Sequence, residues 1–105
     1  MKQTVLIDKR ASKELSKFSR PVQLKFQALF EILEESGKLE EPFSKKLVST
    51  QGLFEVRVKY QGQWRAIYAY LEEETIIVLS AFAKKTQKTP TTELEKAKSR
   101  MKDYE

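Results

Sequence analysis

The 105-residue chain contains no cysteine and no histidine. Without cysteine there is no disulfide, no thiol nucleophile and no thiolate metal site. Without histidine there is no imidazole base, no histidine-ligated metal and no Ser-His pair. Glycine and proline are scarce, three of each, so each marks a place where the chain turns or an element starts. No apolar run reaches the roughly 18 residues that a membrane span needs. The opening Met-Lys-Gln-Thr-Val lacks the apolar core of a signal peptide, so the expected location is cytoplasmic. Acid is in short supply in the middle of the chain. From Ser44 to Leu71 there are Lys45, Lys46, Arg57, Lys59 and Arg65 against Glu55 alone, while Glu72, Glu73 and Glu74 crowd into one turn.

What is present suits one small domain covering residues 1–105. Hydrophobic residues make up 40% and charged ones 33%, and the net charge of +5 favours an anionic partner. Residues 3–7 read as a short strand closed by Asp8. Ala11, Leu15 and Phe18 then recur at helical spacing. Pro21 opens a second helix, whose Val22, Phe26, Leu29, Phe30 and Leu33 form a wide apolar stripe ended by Gly37. Residues 38–52 sustain no period and read as irregular. Three strands follow as a meander: 54–60, 64–71 and 75–83. The last is apolar on both faces and so fits a central position. Thr89 is placed to cap a final helix with Pro90 in its first turn. Leu94, Ala97 and Met101 give that helix a thin apolar stripe, so its end, Arg100 to Glu105, is expected to dock weakly. The pattern is that of an α+β fold.

The register of the first hairpin decides which charges meet. A two-residue loop at Gln61-Gly62 would turn Arg65 onto the apolar Phe54/Val56 face. A three-residue loop, Gln61 to Gln63, pairs Tyr60 with Trp64 and Lys59 with Arg65 and keeps each face uniform. In this register Arg57, Lys59 and Arg65 share one face, where their repulsion is easier to understand if an anion sits there. The stretch Phe82-Ala83-Lys84-Lys85-Thr86-Gln87-Lys88-Thr89-Pro90 adds lysines where the last strand ends and a helix begins, a plausible seat for phosphate. Taken alone, such a cluster more often keeps a protein in solution than binds a ligand.

Together, Gly52-Leu53-Phe54-Glu55-Val56-Arg57, Trp64-Arg65-Ala66-Ile67-Tyr68 and the 82–90 stretch, with Lys102-Asp103-Tyr104 at the end, resemble the RelE/HigB superfamily of type II toxins. The phage-derived, HigB-like branch ends its last strand in a similar lysine signature. The resemblance spans the chain as a single RelE-like domain. It implies an N-terminal strand, a two-helix hairpin, a three-stranded antiparallel meander and a C-terminal helix. It also implies an endoribonuclease that cleaves mRNA on the ribosome and is silenced by a cognate antitoxin, itself expected to bring the DNA binding. By this resemblance Arg57, Arg65, Lys84 and Lys85 are the candidate catalytic residues. Lys45, Lys46, Lys59 and Lys88 are candidates for RNA contact, and no metal or cofactor is called for.

Such cleavage uses the 2′-hydroxyl to attack its own 3′-phosphate. Arginines and Lys84 can stabilise the added negative charge, and a lysine crowded by other cations can carry a proton. Lys84 or Lys85 is therefore the first candidate for proton transfer. Glu40, Glu41 and Glu55 are possible bases that are more simply salt-bridge partners or solvated residues, and Arg65 is alternatively a structural arginine bridging to Glu55. Tyr104 reaches the site only if the last helix folds back over the sheet. Two other readings remain open: a basic RNA- or ribosome-binding module without turnover, and a phage structural or assembly protein.

Overall fold

A computed structural model describes residues 2–48, 50–72 and 74–105. Of the acidic turn, Glu73 lies outside the described residues. Strand β1 (Thr4–Ile7) leads into helices α1 (Lys9–Ser16) and α2 (Arg20–Ser36). The chain continues through β2 (Ser44–Lys46), β3 (Leu53–Lys59), β4 (Gln63–Leu71) and β5 (Thr75–Lys84) to α3 (Thr91–Met101), and a 3-10 turn over Lys102–Tyr104 follows. The sheet order is β1-β5-β4-β3-β2, with β1 parallel to β5 and every other pair antiparallel. The expected α+β fold is therefore present, with β5 in the interior of the sheet. It gains one strand, β2, from the stretch read as irregular. Three residues, Ser-Lys-Lys, are too few to show a period, and β2 is held by pairing with β3 rather than by its own pattern.

Local signals set the helix ends. The Asp8 carboxylate accepts the Arg10 backbone N–H at 2.8 Å and caps α1. Pro21 sits in the first turn of α2, and Gly37, at φ 80°, closes it with its N–H on the Leu33 carbonyl. The stripe of α2 buries Val22, Phe26, Phe30 and Leu33 against Val56, Val58, Ala66, Tyr68, Ile76 and Val78 on one sheet face. Helix α3 covers the other face, packing Leu94, Ala97 and Met101 against Ile67, Ile77, Leu79 and Phe82.

Two details differ from the sequence reading of the C-terminal end. Helix α3 begins at Thr91, with Pro90 before it, and Thr89 caps nothing because its hydroxyl is used elsewhere. The end of the chain is anchored through polar groups. Arg100 donates to both Glu14 oxygens at 2.9 Å and to the Leu79 carbonyl at 2.8 Å, and Glu14 also accepts the Ala81 N–H. Burial alone would raise the Glu14 carboxyl, but Arg100, the Ala81 N–H and Lys96 outweigh it and hold it below its usual value. Tyr104 donates to Asp8 at 2.6 Å, and Arg10 bridges Asp8 and Asp103. Weak docking was expected because ion pairs between residues 86 apart leave no trace in local periodicity.

Strands β4 and β5 keep a regular register except at one point. Ile67 pairs with Ser80 but Tyr68 pairs with Val78, so Leu79 is skipped as a bulge. Side chains of β5 alternate normally up to this bulge and change parity across it. Val78 and Ala81 therefore both face α1 and α2, while Ile77, Leu79 and Phe82 face α3.

Candidate functional site

At the end of the sheet where β5 gives way to the 85–90 loop, Arg57, Arg65, Lys84 and Lys85 meet. They line one open cavity of about 470 Å³ with Gln63, Thr86 and Gln87. Three strands and a loop bring them there. Arg57 and Arg65 stand directly opposite each other on β3 and β4, and Gln63 stands opposite Lys84 on β4 and β5. The hairpin parity read from the sequence is thus present, but its pairing is not. The turn is Tyr60-Gln61-Gly62, Trp64 faces Val58, and Arg65 meets Arg57 instead of Lys59. Gln61 and Gly62 both take positive φ, 49° and 135°. That tightens the turn and moves the register back by one residue on each strand.

Two guanidinium groups side by side require a counter-charge, and the fold supplies one. Glu55 is only 1% exposed and has Arg57 Nε at 3.4 Å and Arg65 Nε at 3.3 Å from its Oε1. Its Oε2 accepts the Thr89 hydroxyl at 2.6 Å. Glu55 therefore ties both arginines and the start of α3 into one cluster. It does so as a salt-bridge partner, the simpler of the two roles the sequence left open for it. Thr89 and Gln63 are the site residues that sequence reasoning missed. The one looked like a helix cap and the other like a loop residue, although Gln63 Oε1 accepts from Arg65 at 3.2 Å.

Arg65 is a largely buried side chain, with Nη1 donating to the Trp64 carbonyl. Its Nε is buried without a well-directed hydrogen bond, because Glu55 lies within ion-pair distance but off the N–H axis. Burial pulls the guanidinium below its usual pKa, Glu55 works in the opposite direction, and Arg57 adds to the lowering. Arg57 is more open, at 30%. Lys84 is half-buried and its pKa is lowered. Burial is the main cause, opposed by Glu55 and reinforced by Arg65, Arg57 and Lys45. The cluster therefore holds an excess of positive charge, with one lysine that gives up its proton more readily than a lysine in water.

The remaining candidates divide. Lys45 is level with Glu55 on β2, so it points to the cleft face, whereas Lys46 is level with Phe54 and points to the opposite one. Lys59 is exposed at the end of β3 on the cleft face, and Lys88 is exposed in the loop, its carbonyl accepting the Thr86 hydroxyl. Helix α3 does fold back over the sheet, but Tyr104 is held on Asp8, beside the start of α1. Glu40 and Glu41 lie with both Lys45 and Lys46 beside Tyr68 and Tyr70, on a different cavity. Among the described residues no group of three or more carboxylates could hold a metal ion, and no helix is long and apolar enough to cross a membrane.

The family model described as phage derived protein Gp49-like matches residues 13–102. No curated protein matches the chain. Among solved structures, an E. coli toxin RelE with two arginines replaced by alanine is similar at 19% identity, covering 99% of this chain and 98% of that one, with a TM-score of 0.68. The archaeal RelE-RelB complex from Pyrococcus horikoshii OT3 gives 27% identity over 79% and 96% of the two chains, with a TM-score of 0.62. The toxin-antitoxin complex RelBE2 from Mycobacterium tuberculosis gives 20% identity over 80% and 100%, with a TM-score of 0.63. The fold is that of RelE.

Proposed function

The chain belongs to the phage-derived Gp49-like family, and on that premise we propose that it is the toxin of a type II toxin–antitoxin pair, an endoribonuclease that cleaves mRNA on the ribosome. The observation that carries this reading is the convergence of Arg57, Arg65, Lys84 and Lys85 on one open cavity. Arg57 and Arg65 present guanidinium donors to the non-bridging oxygens of the scissile phosphate and stabilise the charge of the pentacoordinate state. The 2′-oxygen forms a bond to phosphorus as the bond to the 5′-oxygen breaks. Lys84, made more acidic by its surroundings, gives its proton to that leaving oxygen. The products are a 2′,3′-cyclic phosphate and a 5′-hydroxyl. Glu55 has both oxygens engaged, so the 2′-hydroxyl proton passes to solvent or to a group of the ribosome. This incomplete set of proton carriers supports the requirement for a ribosome.

Induction of the gene should arrest growth, and co-expression of an adjacent antitoxin gene should relieve the arrest. Purified protein should cut mRNA on programmed ribosomes and leave naked mRNA largely intact. Equal rates on both would remove the ribosome from the proposal. A second reading, a basic RNA-binding module without turnover, draws on the engagement of Glu55 and the lack of histidine. It predicts protection of ribosomal mRNA with no new cyclic-phosphate ends. The proposed antitoxin partner sets an acidic or amphipathic segment on the cationic face, so its association rate should fall steeply with added salt.

A further inference from the structure

Strand β2 accompanies β3 only from Phe54 to Val56. Beyond Val56 the Arg57 N–H is taken by the Phe43 carbonyl at 2.9 Å, and then a second cleft of about 500 Å³ opens along the bare edge of β3. Its walls are apolar: Ala28 and Leu29 from α2, Pro42 and Phe43 from the connection before β2, and Val58. Lys25 and Lys59 stand on the rim, and Arg57 and Arg65 line both this cleft and the cationic cavity described above. The Phe43 side chain is large, apolar and 51% exposed. Among the described residues its ring contacts no other ring. Strand alternation turns the Lys59 N–H to the same side as the Arg57 N–H, towards the cleft.

The geometry points to this cleft as a nucleobase pocket, in which a base of single-stranded RNA stacks on Phe43 while the adjoining phosphate rests on Arg57 and Arg65. The inference builds on the RNA-cleaving reading and extends it to the neighbouring nucleotide. Charge and shape choose the occupant. A nucleobase is flat, uncharged and joined to an anion, and the cleft offers an open aromatic ring and apolar walls directly beside two guanidinium groups and two ammonium groups. An aliphatic side chain of a protein would gain from the walls but nothing from the cations. The Lys59 backbone lies where it can meet the polar edge of the base, which would give the pocket a preference among bases.

The test uses the full chain at low ionic strength and a fluorescent hexaribonucleotide with 2′-O-methyl groups, which cannot be cleaved. A set of otherwise identical hexamers carries one abasic site at each position in turn. For the parental protein one position should stand out, its abasic form binding about tenfold more weakly. Phe43→Ala should weaken the intact RNA by a similar factor and leave that abasic RNA unaffected. Phe43→Trp should restore the parental affinity and Phe43→Leu should not. Thermal melting checks that the variants fold, and the main-chain contacts of Phe43 survive these changes. Parental affinity in a folded Phe43→Ala variant, or a flat abasic scan, overturns the pocket and leaves the arginine site standing. If Phe43→Ala instead weakens only association with a partner protein, the cleft is a protein-docking site and the inference fails. No binding of any hexamer by the parental protein overturns the pocket, while the RNA-cleaving reading is decided separately by cleavage on programmed ribosomes.

Discussion

Replacing Glu55 by glutamine would keep the size of the side chain and one acceptor for Thr89 but remove the charge that stands between Arg57 and Arg65. The two guanidinium groups would then face each other with no counter-charge. Urea unfolding should show a loss of about 1–3 kcal/mol, part of it recovered when phosphate is added, because a bound anion takes over the missing role. Stability unchanged in both conditions would mean that Glu55 does not hold the arginines. Lys84 has the opposite balance. Its ammonium is less favoured in the fold than in the unfolded chain, whose value is 10.5. Protonated Lys84 therefore costs stability at neutral pH, and the cost fades as pH rises through the lowered folded value. Lys84→Met should raise the melting midpoint at pH 7, flatten its rise on the alkaline side and reduce ribosomal cleavage about a hundredfold. A variant that melts lower and cuts normally would exclude Lys84 as the proton donor. At this scale the sequence was informative about which side chains share a face and poor about what they touch. It grouped the cations by strand parity and by the end of the last strand, and it left the space between the arginines open to an external anion or, for Arg65, to Glu55. The fold had already placed Glu55 there.

The helices and the main hairpin were legible because each carries a period long enough to detect, and α2 combines its apolar stripe with a proline start and a glycine stop. The short strand β2 and the fastening of α3 were not, since both depend on partners distant in the chain. Arg100 joins α3 to both α1 and β5, so the polar part of its docking can be tested at a single position. Arg100→Ala removes the double contact to Glu14 and the bond to the Leu79 carbonyl. It should cost about 3 kcal/mol and speed hydrogen exchange of the α3 backbone while α2 stays protected. Exchange rates that do not change would show that the apolar contacts of α3 suffice. Glu14 adds a pH signature. Its pKa lies lower in the fold than the 4.5 of a free glutamate, so its contribution is complete above that value and is lost as pH falls through the lowered one. The acid limb of the stability curve should therefore be shallower in Glu14→Gln, and an identical limb would place the acid sensitivity in other carboxylates.

Across the whole molecule, positive charge gathers at one end of the sheet while the opposite end carries the Asp8, Arg10, Asp103 and Tyr104 cluster. Four cations on the RNA should give a slope of about −3 when the logarithm of the binding constant is plotted against that of salt, and Arg57→Ala should lessen it by about 0.7. A slope near zero would mean that the cleft does not contact the RNA backbone. How Lys84 comes to stand among the arginines follows from the skipped residue in β5. Up to Val78 the even-numbered side chains of that strand face α1 and α2, and only the extra residue at Leu79 sends Phe82 and Lys84 to the other side. The face that Lys84 takes therefore depends on the bulge absorbing one residue as well as on its place in the sequence. Exchanging Leu79 for isoleucine or methionine should be mild. Deleting it would make Val78 and Ser80 consecutive rungs opposite Tyr68 and Ile67, so the ladder should close without a bulge and Lys84 should stay opposite Gln63. The last strand therefore carries one residue more than its partner needs, and a shortening by one at this point is the gap that the sheet should accept with its cationic face unchanged.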